Sequence, residues 1–271
     1  MYKGVVPWLD DLLLYSETVD GLYELLVWVL RRAEEKGIKF SPKKTTLLTQ
    51  SIRFCGKIVS PAGVAVDPER IDALVAMPMP TRADQLMQFV NAANWIRGSL
   101  PEFSRTFAPL QLQLWLNESL GEGRRTSRRA KTIKIQPSDD LEAAFIEAKR
   151  LIGNAVLQAH PRENATLCLF TDASDNHWGA LLAQVQEYSP DIAISDQILE
   201  PLHFLSGSFK GSQSRWSTAD QEAFAIVESI EKLRHLLINP KGFKLFTDHR
   251  NLCYIYDPWS VKKLNVRARL D

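Results

Sequence analysis

Two strand-like segments of the sequence end in the same three residues, and this repetition is the strongest constraint on the fold. The segments ATLCLFTDAS (165–174) and FKLFTDHRNL (243–252) are mainly apolar up to a Phe-Thr pair, and an aspartate follows each pair. Asp172 and Asp248 therefore both leave a strand at its C-terminal end. Open α/β sheets build their sites at such ends, so the repeat predicts an α/β domain with two acids at one sheet edge.

The residues between these two segments supply the rest of such a domain. HWGALLAQV (177–185) and LHFLSGSF (202–209) have the composition of strands, and ADQEAFAIVESIEKLRHLL has apolar residues at helical spacing. Ser217 or Thr218 can cap this helix, because a hydroxyl accepts a hydrogen bond from the first helical turn. Three strands, a helix and a further strand predict a mixed sheet.

A third acid, Glu222, falls in the first turns of this helix. Three converging carboxylates repel one another, and their pKa values rise unless a cation neutralises them. Mg²⁺ prefers oxygen ligands, and two such ions can activate a water and stabilise a leaving oxygen in phosphodiester hydrolysis. Asp172, Asp248 and Glu222 could each also be an ordinary turn or cap residue. The spacing alone leaves both interpretations open.

The N-terminal segment PWLDDLLLYS (7–16) places two adjacent acids, Asp10 and Asp11, between apolar runs. The pattern predicts a hairpin with strands over residues 4–8 and 12–15. Two charges at the tip of an apolar hairpin indicate either a polar turn or one half of a metal site.

The remaining segments predict mainly helices. Apolar spacing predicts a helix over residues 18–36, a strand pair over 52–59 and 63–66, and a helical subdomain over 67–116. Within that subdomain, Thr81 is the expected cap of a helix. Another helix is expected over 138–153, with acids in its first turn.

The stretch over residues 117–137 is rich in basic residues and poor in apolar ones. It can be a solvated linker, or it can contact a nucleic-acid backbone, because clustered lysines and arginines attract phosphates without sequence specificity. The sequence does not decide between the two. The arginines of this stretch are Arg124, Arg125, Arg128 and Arg129.

Composition limits the class of protein. The net charge of +1 excludes a global attraction to nucleic acid, and 45% hydrophobic residues are typical of a globular protein. Cys55, Cys168 and Cys253 lack CxxC spacing, which argues against a zinc site and a disulfide framework. The sequence has no signal-peptide pattern and no membrane-length apolar run, so we expect an intracellular protein, cytoplasmic or nuclear, that is neither secreted nor membrane-bound.

Several of these motifs together resemble a known family. FTDASDNHWGALLAQ…LSGSFKGSQSRWSTADQEAFAIVESIEKLRHLL…FKLFTDHRNLCYI is similar to the RNase H-like domain of gypsy-type LTR retrotransposon reverse transcriptases. The resemblance implies that Asp172, Glu222 and Asp248 are three of four carboxylates that hold two Mg²⁺ ions and cut the RNA of an RNA–DNA hybrid. Trp178 and Trp216 flank this site, where they could face the hybrid.

The N-terminal part resembles the polymerase of the same polyprotein. WLDDLLLYS is similar to the palm hairpin, with Trp8 where the family usually has tyrosine. The resemblance implies that Asp10 and Asp11 help to hold two Mg²⁺ ions, with Asp10 as the direct ligand. EEKGIKFSPKKT resembles the palm segment after this hairpin, and Lys43 or Lys44 would serve as the acid for the departing pyrophosphate.

The polymerase resemblance continues into the helical region. IRFCGKIVSPAGVAVDPERIDAL is similar to the primer-grip hairpin, so Phe54, Cys55 and Gly56 would contact nucleic acid together with Trp8. MPMPTRADQLMQFVNAANWIRGSLPEFSRTFAPL resembles the thumb and connection. The implied fold is α+β and α/β: a partial palm over 1–66, a helical thumb-connection over 67–116, a basic linker over 117–137, and an RNase H-like domain over 138–271.

The sequence also departs from the family. The other catalytic aspartate of the polymerase lies upstream in the family, and the fourth nuclease acid lies downstream, so both chain ends are expected to be interruptions. We therefore expect no polymerase activity from this chain alone. The implied partners are an RNA–DNA hybrid or primer-template and the rest of the polyprotein, including fingers, palm and integrase. The alternative is a non-catalytic retroelement remnant, or a captured fragment, that at most binds nucleic acid.

Overall fold

The computed structural model describes residues 4–119, 130–136, 138–249 and 252, with residues 115–119 described only by their backbone. The contacts divide the chain into two compact units, Met1–Pro61 and Ala62–Asp271. No helix among the described residues is long and apolar enough to cross a membrane.

The first unit begins with the expected hairpin and helix. Strands β1 (Val5–Trp8) and β2 (Asp11–Leu14) pair antiparallel, with Trp8 opposite Asp11. Helix α1 (Val19–Glu35) follows, and the Thr18 side chain accepts a hydrogen bond from its first turn. Gly37 has a φ of +68°, a left-handed conformation that glycine adopts easily just beyond a helix. The predicted elements are confirmed here to within two residues.

A second hairpin lies inside the segment IRFCGKIV, where the sequence predicted one strand. Strands β3 (Ile52–Phe54) and β4 (Lys57–Ser60) pair antiparallel around a two-residue turn. Cys55 and Gly56 form this turn with φ values of 52° and 73°. Two positive φ values are the mark of a type I′ hairpin, which usually has Asn, Asp or Gly at the first position. The prediction of a single strand was wrong because cysteine gives no such signal.

The second unit opens with a strand and four helices that share one core. Phe89, Phe103, Phe107 and Phe145 are almost fully buried at its centre, and neighbouring rings lie 4.2–5.9 Å apart between centroids. The last of the helices, which the resemblance assigned to the RNase H-like domain, therefore packs in the helical core. These elements are β5 (Gly63–Val66), α2 (Pro68–Val75), α3 (Ala83–Trp95), α4 (Phe103–Ser119) and α5 (Asp139–Gly153).

The start of α5 follows the capping rules, whereas the start of α3 differs from the prediction. Ser138 accepts a hydrogen bond from the first turn of α5. The predicted cap at Thr81 was wrong, because Arg82 occupies that position of α3. A strand-like contact holds this stretch extended, since Ile135 donates its N–H to the Thr81 carbonyl and Ala83 donates to the Ile133 carbonyl. Part of the predicted basic linker is thus paired, and its Ile135 is buried.

The C-terminal part of the second unit is a mixed four-stranded sheet with a helix on one face. The strand order is β8-β7-β6-β9; β6 pairs antiparallel with β7, β7 pairs antiparallel with β8, and β6 pairs parallel with β9. The predicted α/β fold with a mixed sheet is confirmed. The elements are β6 (Thr166–Ala173), β7 (His177–Val185), β8 (Glu200–Ser208), α6 (Thr218–Leu237) and β9 (Phe243–Phe246).

Polar contacts join the helical part of this unit to the edge strand β8. Arg97 donates to the Ser206 carbonyl at 2.7 Å, and the Ser104 N–H donates to the Ser206 hydroxyl at 2.9 Å. The Gln158 amide donates to the carbonyls of Gly98 and Leu202. The helices thereby cover a strand edge that would otherwise be open to pairing with another chain.

Close packing between β7 and β8 gives a prediction for stability. Trp178 is buried opposite Gly207, and a Cβ atom at residue 207 would overlap the indole ring. We expect Gly207→Ala to lower the free energy of unfolding by about 1–3 kcal/mol, since overpacking a core forces side chains off their preferred rotamers. Urea denaturation followed by tryptophan fluorescence measures this change.

The matched control is Gly179→Ala on β7, where the nearest atom to a new Cβ, the Leu205 carbonyl oxygen, lies at an ordinary 3.9 Å. We expect this variant to change the free energy of unfolding by no more than about 0.5 kcal/mol. Equal destabilisation by Gly207→Ala and Gly179→Ala would contradict the packing argument.

Candidate metal centre

Three carboxylates meet at one edge of the C-terminal sheet. One oxygen atom from each of Asp172, Glu222 and Asp248 lies within 4.8 Å of the other two. Asp172 lies near the end of β6 and Asp248 lies just after β9, and these strands are parallel, so their C-terminal ends coincide. Helix α6 begins at this edge and contributes Glu222 from its first turns. The chain thus brings the three predicted nuclease acids together.

The three acids differ sharply in exposure. Asp172 and Asp248 are exposed, whereas Glu222 is only 3% exposed. Oxygen Oε1 of Glu222 accepts a hydrogen bond from the Ala173 N–H at 3.1 Å. Oxygen Oε2 is buried and makes no hydrogen bond within the described residues. A buried carboxylate oxygen without a hydrogen-bond partner is energetically costly, so a positively charged group is expected beside Oε2.

The electrostatics of Glu222 point in the same direction. Burial raises its pKa to about 7, and the negative charges of Asp248 and Asp172 add to this rise, while the hydrogen bond from Ala173 opposes it. A divalent cation that prefers oxygen ligands would neutralise the repulsion and give Oε2 a partner. The donor set, three carboxylates without histidine or cysteine, fits Mg²⁺ or Mn²⁺.

The predicted polymerase acids have a different environment. Asp10 lies in the β1–β2 turn beside Leu9, whose φ of 52° is unusual for leucine, and Asp11 begins β2. Both are exposed, and neither belongs to the three-carboxylate group found among the described residues. Trp8 is 47% exposed. Burial, followed by the negative charge of Asp11, raises the pKa of the Cys55 thiol, so Asp11 and Cys55 influence each other within the first unit.

The other predicted site residues are partly or fully exposed, or lie outside the described part of the chain. Phe54, Cys55 and Gly56 end β3 and form the β3–β4 turn. Lys44 is exposed in the short 3₁₀ turn Pro42–Lys44. Arg124, Arg125, Arg128 and Arg129 lie outside the described residues. The roles of these residues stay predictions.

The two tryptophans that flank the acids are not equivalent. Trp178 is buried and meets the Phe224 ring edge-on, with 6.3 Å between centroids, so it does not face a hybrid. Trp216 is partly exposed and lies 5.7 Å from the same ring. The possibility of a hybrid-facing role, which the sequence left open for both, holds only for Trp216.

Sequence reasoning missed one residue beside the acids. Gln221 is 5% exposed, and its amide donates to the carbonyls of Asp175 at 3.2 Å and Gln213 at 3.3 Å. A glutamine in the first turns of a helix carries no sequence signal for burial. Only the tertiary contacts identify it.

Comparison with known proteins agrees with this geometry. Residues 162–270 match the RNase H-like domain found in reverse transcriptase, and the three acids lie within that range. The C-terminal part of the chain is therefore an RNase H-like domain of the reverse-transcriptase type.

Nearly the whole chain is also similar to the polyproteins of retrotransposons. It is similar to the retrovirus-related Pol polyprotein from transposon opus of Drosophila melanogaster, with 25% identity over 93% of this chain and 24% of that protein. It is also similar to the Tf2-3 transposon polyprotein of Schizosaccharomyces pombe, with 26% identity over 92% of this chain and 17% of that protein. The chain thus spans a quarter or less of these relatives' length. The predicted resemblance is confirmed.

Solved structures support the fold. A foamy viral protease-reverse transcriptase in complex with an RNA/DNA hybrid is similar with a TM-score of 0.72 and 18% identity, over 97% of this chain and 33% of that chain. A dRH form of that protein in complex with double-stranded DNA matches with the same TM-score and identity, over 42% of that chain.

The buried Glu222 predicts a pH-dependent stability in metal-free protein. Its pKa is about 7 in the folded state against an ordinary 4.5, so between these values the folded state binds more protons than the unfolded state. The proton on Glu222 therefore stabilises the folded state fully below about pH 4.5, and this stabilisation is lost as pH rises through 7. We expect the free energy of unfolding in EDTA to fall from pH 5 to pH 8 by at most about 3 kcal/mol.

Glu222→Gln should remove most of this fall, because an amide does not ionise. Glu231→Gln is the matched control, since Glu231 is an exposed glutamate of the same helix. Chemical denaturation across the pH range measures the three profiles. Parallel profiles for wild type and Glu222→Gln would contradict the assignment.

Proposed function

We propose that the RNase H-like domain hydrolyses the RNA strand of RNA–DNA hybrids, with Asp172, Glu222 and Asp248 holding Mg²⁺. The observation that carries this proposal is the convergence of three carboxylate oxygens within 4.8 Å, one of them buried and without a hydrogen-bond partner among the described residues. Acids so close together are costly unless they bind a cation. Asp172 and Asp248 lie at the C-terminal ends of parallel strands, where this class of sheet places its sites.

The proposed roles of the three acids follow from how exposed each one is. When bound, Mg²⁺ would supply the charge that activates a water and stabilises the leaving oxygen of a phosphodiester. Asp172 and Asp248 are exposed and would hold the cation on the solvent side, where a phosphodiester can approach. Glu222 is held by the Ala173 N–H through Oε1, and Oε2 would be the oxygen that binds the cation. Glu222 must lose its proton for this role.

Nucleic acid is the proposed substrate because of the relatives. The similar foamy viral enzyme has been solved with an RNA/DNA hybrid and with double-stranded DNA. We therefore propose an RNA/DNA hybrid as the substrate of this chain, because the chain has the same fold and carries the acid triad.

For the first unit, we propose a place in the primer-template channel of a polymerase. Asp10 and Asp11 would serve as its Mg²⁺ ligands, Lys44 as its acid, and Trp8 with the β3–β4 turn as contacts to nucleic acid. Trp8, Asp10, Asp11 and Lys44 are exposed, which supports access to such a ligand. The basic stretch with Arg124, Arg125, Arg128 and Arg129 is proposed as a phosphate contact, and the other parts of a Pol polyprotein, integrase included, as partners.

The nuclease proposal predicts loss of cleavage on removal of one acid. Asp172→Asn and Asp248→Asn should each lower Mg²⁺-dependent cleavage of a labelled RNA–DNA hybrid at least about 100-fold, because each removes a charged ligand from the site. Asp191→Asn is the matched control, since it removes the same charge from an exposed loop and should leave the rate unchanged. Gel electrophoresis of the labelled RNA gives the rates.

The same experiment tests the non-catalytic alternative. Wild-type protein that is folded by circular dichroism and retards the hybrid in a gel, yet cleaves no RNA with Mg²⁺ or Mn²⁺, would overturn the nuclease proposal. Cleavage that survives Asp172→Asn at the wild-type rate would indicate a contaminating nuclease and would overturn it equally.

A further inference from the structure

We propose that Gln221 is a positioning residue for the acid triad. Its side-chain amide ties the first turns of α6 to the turn that follows Asp172, and it thereby sets the separation between Asp172 and Glu222. The consequence for metal binding rests on the proposed function, whereas the mechanical role of Gln221 does not.

The contacts of Gln221 reach two separate loops. Its amide nitrogen donates to the Asp175 carbonyl in the β6–β7 turn at 3.2 Å and to the Gln213 carbonyl, before α6, at 3.3 Å. The residue is 5% exposed, although it is polar and lies near a helix start. Burial of an amide is tolerated only where hydrogen bonds replace those to water, so these two bonds account for its position.

Gln221 and Glu222 hold the end of β6 and the turn after it at two points. The Glu222 carboxylate accepts from the Ala173 N–H at 3.1 Å, and the Gln221 amide donates to Asp175 two residues further along. Asp172 is the neighbour of Ala173 at the end of β6. A shift of α6 relative to the turn would therefore change the distance between the carboxylates of Asp172 and Glu222.

The hydrogen bonds of Glu222 and Gln221 differ in their chemistry. The charge of Glu222 is shared between the Ala173 N–H and any cation that binds at the site. The Gln221 amide is neutral, and its N–H groups donate to backbone carbonyls, so these two bonds do not use the oxygen atoms that would bind a cation. Gln221 can thus hold the turn in place both with and without metal.

Other bonds of the turn lead to the sheet. The Ser174 N–H donates to the His177 carbonyl at 2.8 Å, and the Phe209 N–H donates to the Asn176 carbonyl at 2.9 Å. These bonds connect the turn to β7 and to the end of β8. They hold the turn in the sheet. The distance between the turn and α6 is set by side chains of the helix. Metal sites depend on such supporting hydrogen bonds, because small displacements of a ligand weaken binding.

The test compares Gln221→Met with Gln184→Met in the full chain. Methionine keeps the length of glutamine and removes both amide donors. Gln184 is also fully buried, and its amide donates at 2.8 Å to the His160 carbonyl and to Glu200. It pairs with Leu167 at the opposite end of the β6–β7 ladder, far along the strands from Asp172. Gln184→Met therefore controls for the general cost of losing a buried amide.

The first readout is hydrogen exchange of the Ala173 amide in metal-free protein, expressed relative to the Leu169 amide in the middle of β6. We expect Gln221→Met to raise this ratio about tenfold, since the hydrogen bond between the Ala173 N–H and Glu222 opens more often when the Gln221 hydrogen bonds are lost. Gln184→Met should lower global stability and leave the ratio unchanged. The second readout is Mn²⁺ affinity by calorimetry, where we expect a loss of about tenfold for Gln221→Met and none for Gln184→Met.

A Gln221→Met protein with the wild-type exchange ratio would overturn the proposal, and so would an equal rise of the ratio in Gln184→Met. A failure of the proposed function is distinguishable from either result. Wild-type protein that binds no Mn²⁺ and cleaves no hybrid counts against the nuclease proposal alone, because the exchange ratio is measured without metal.

Discussion

The parallel pairing of β6 with β9 is the contact on which the acid site depends. Phe170 pairs with Phe246 in this register, and their rings stack with 4.8 Å between centroids. Asp172 and Asp248 each follow their phenylalanine by two residues, so the register places both carboxylates at the same level of the sheet. A parallel pair needs a crossover between its strands, and α6 lies in that crossover with Glu222 at the same edge. A shift of one residue would turn one strand's side chains to the opposite face and separate the acids.

The site carries a cost that the rest of the domain must offset. Burial of Glu222 beside two other acids opposes its ionised form and raises its pKa to about 7, and its free oxygen lacks a hydrogen-bond partner among the described residues. Apolar contacts of Ala223, Ile226 and Leu233 on the same helix hold α6 on the sheet despite this repulsion. Strain of this kind is typical of functional sites, because a purely structural helix start would be more stable with an uncharged residue.

Local signals in the sequence predicted most of the sheet and the positions of the three acids, whereas their grouping as one metal site was implied by the family resemblance. Apolar strands that end in Phe-Thr-Asp, and a serine before an amphipathic helix, need no knowledge of distant residues. The missed features depend on tertiary partners. Arg82 replaces Thr81 as the cap because residues 133–135 hold that stretch extended. Gln221 is buried because carbonyls from two loops reach its amide. The Cys55–Gly56 turn was missed because cysteine is rare at a position with positive φ.

The Asp10–Asp11 pair and the acid triad of the C-terminal sheet differ in the features that indicate a metal site. Asp10 and Asp11 are adjacent, exposed and at a hairpin turn, where water can screen both charges, so their presence there needs no cation. The acids at the edge of the C-terminal sheet include one that water cannot reach, and the described residues give its free oxygen no other partner. The Asp-Asp pair is the more recognisable signature in the sequence. Glu222, a single glutamate within a helix, carries the stronger physical argument for a metal.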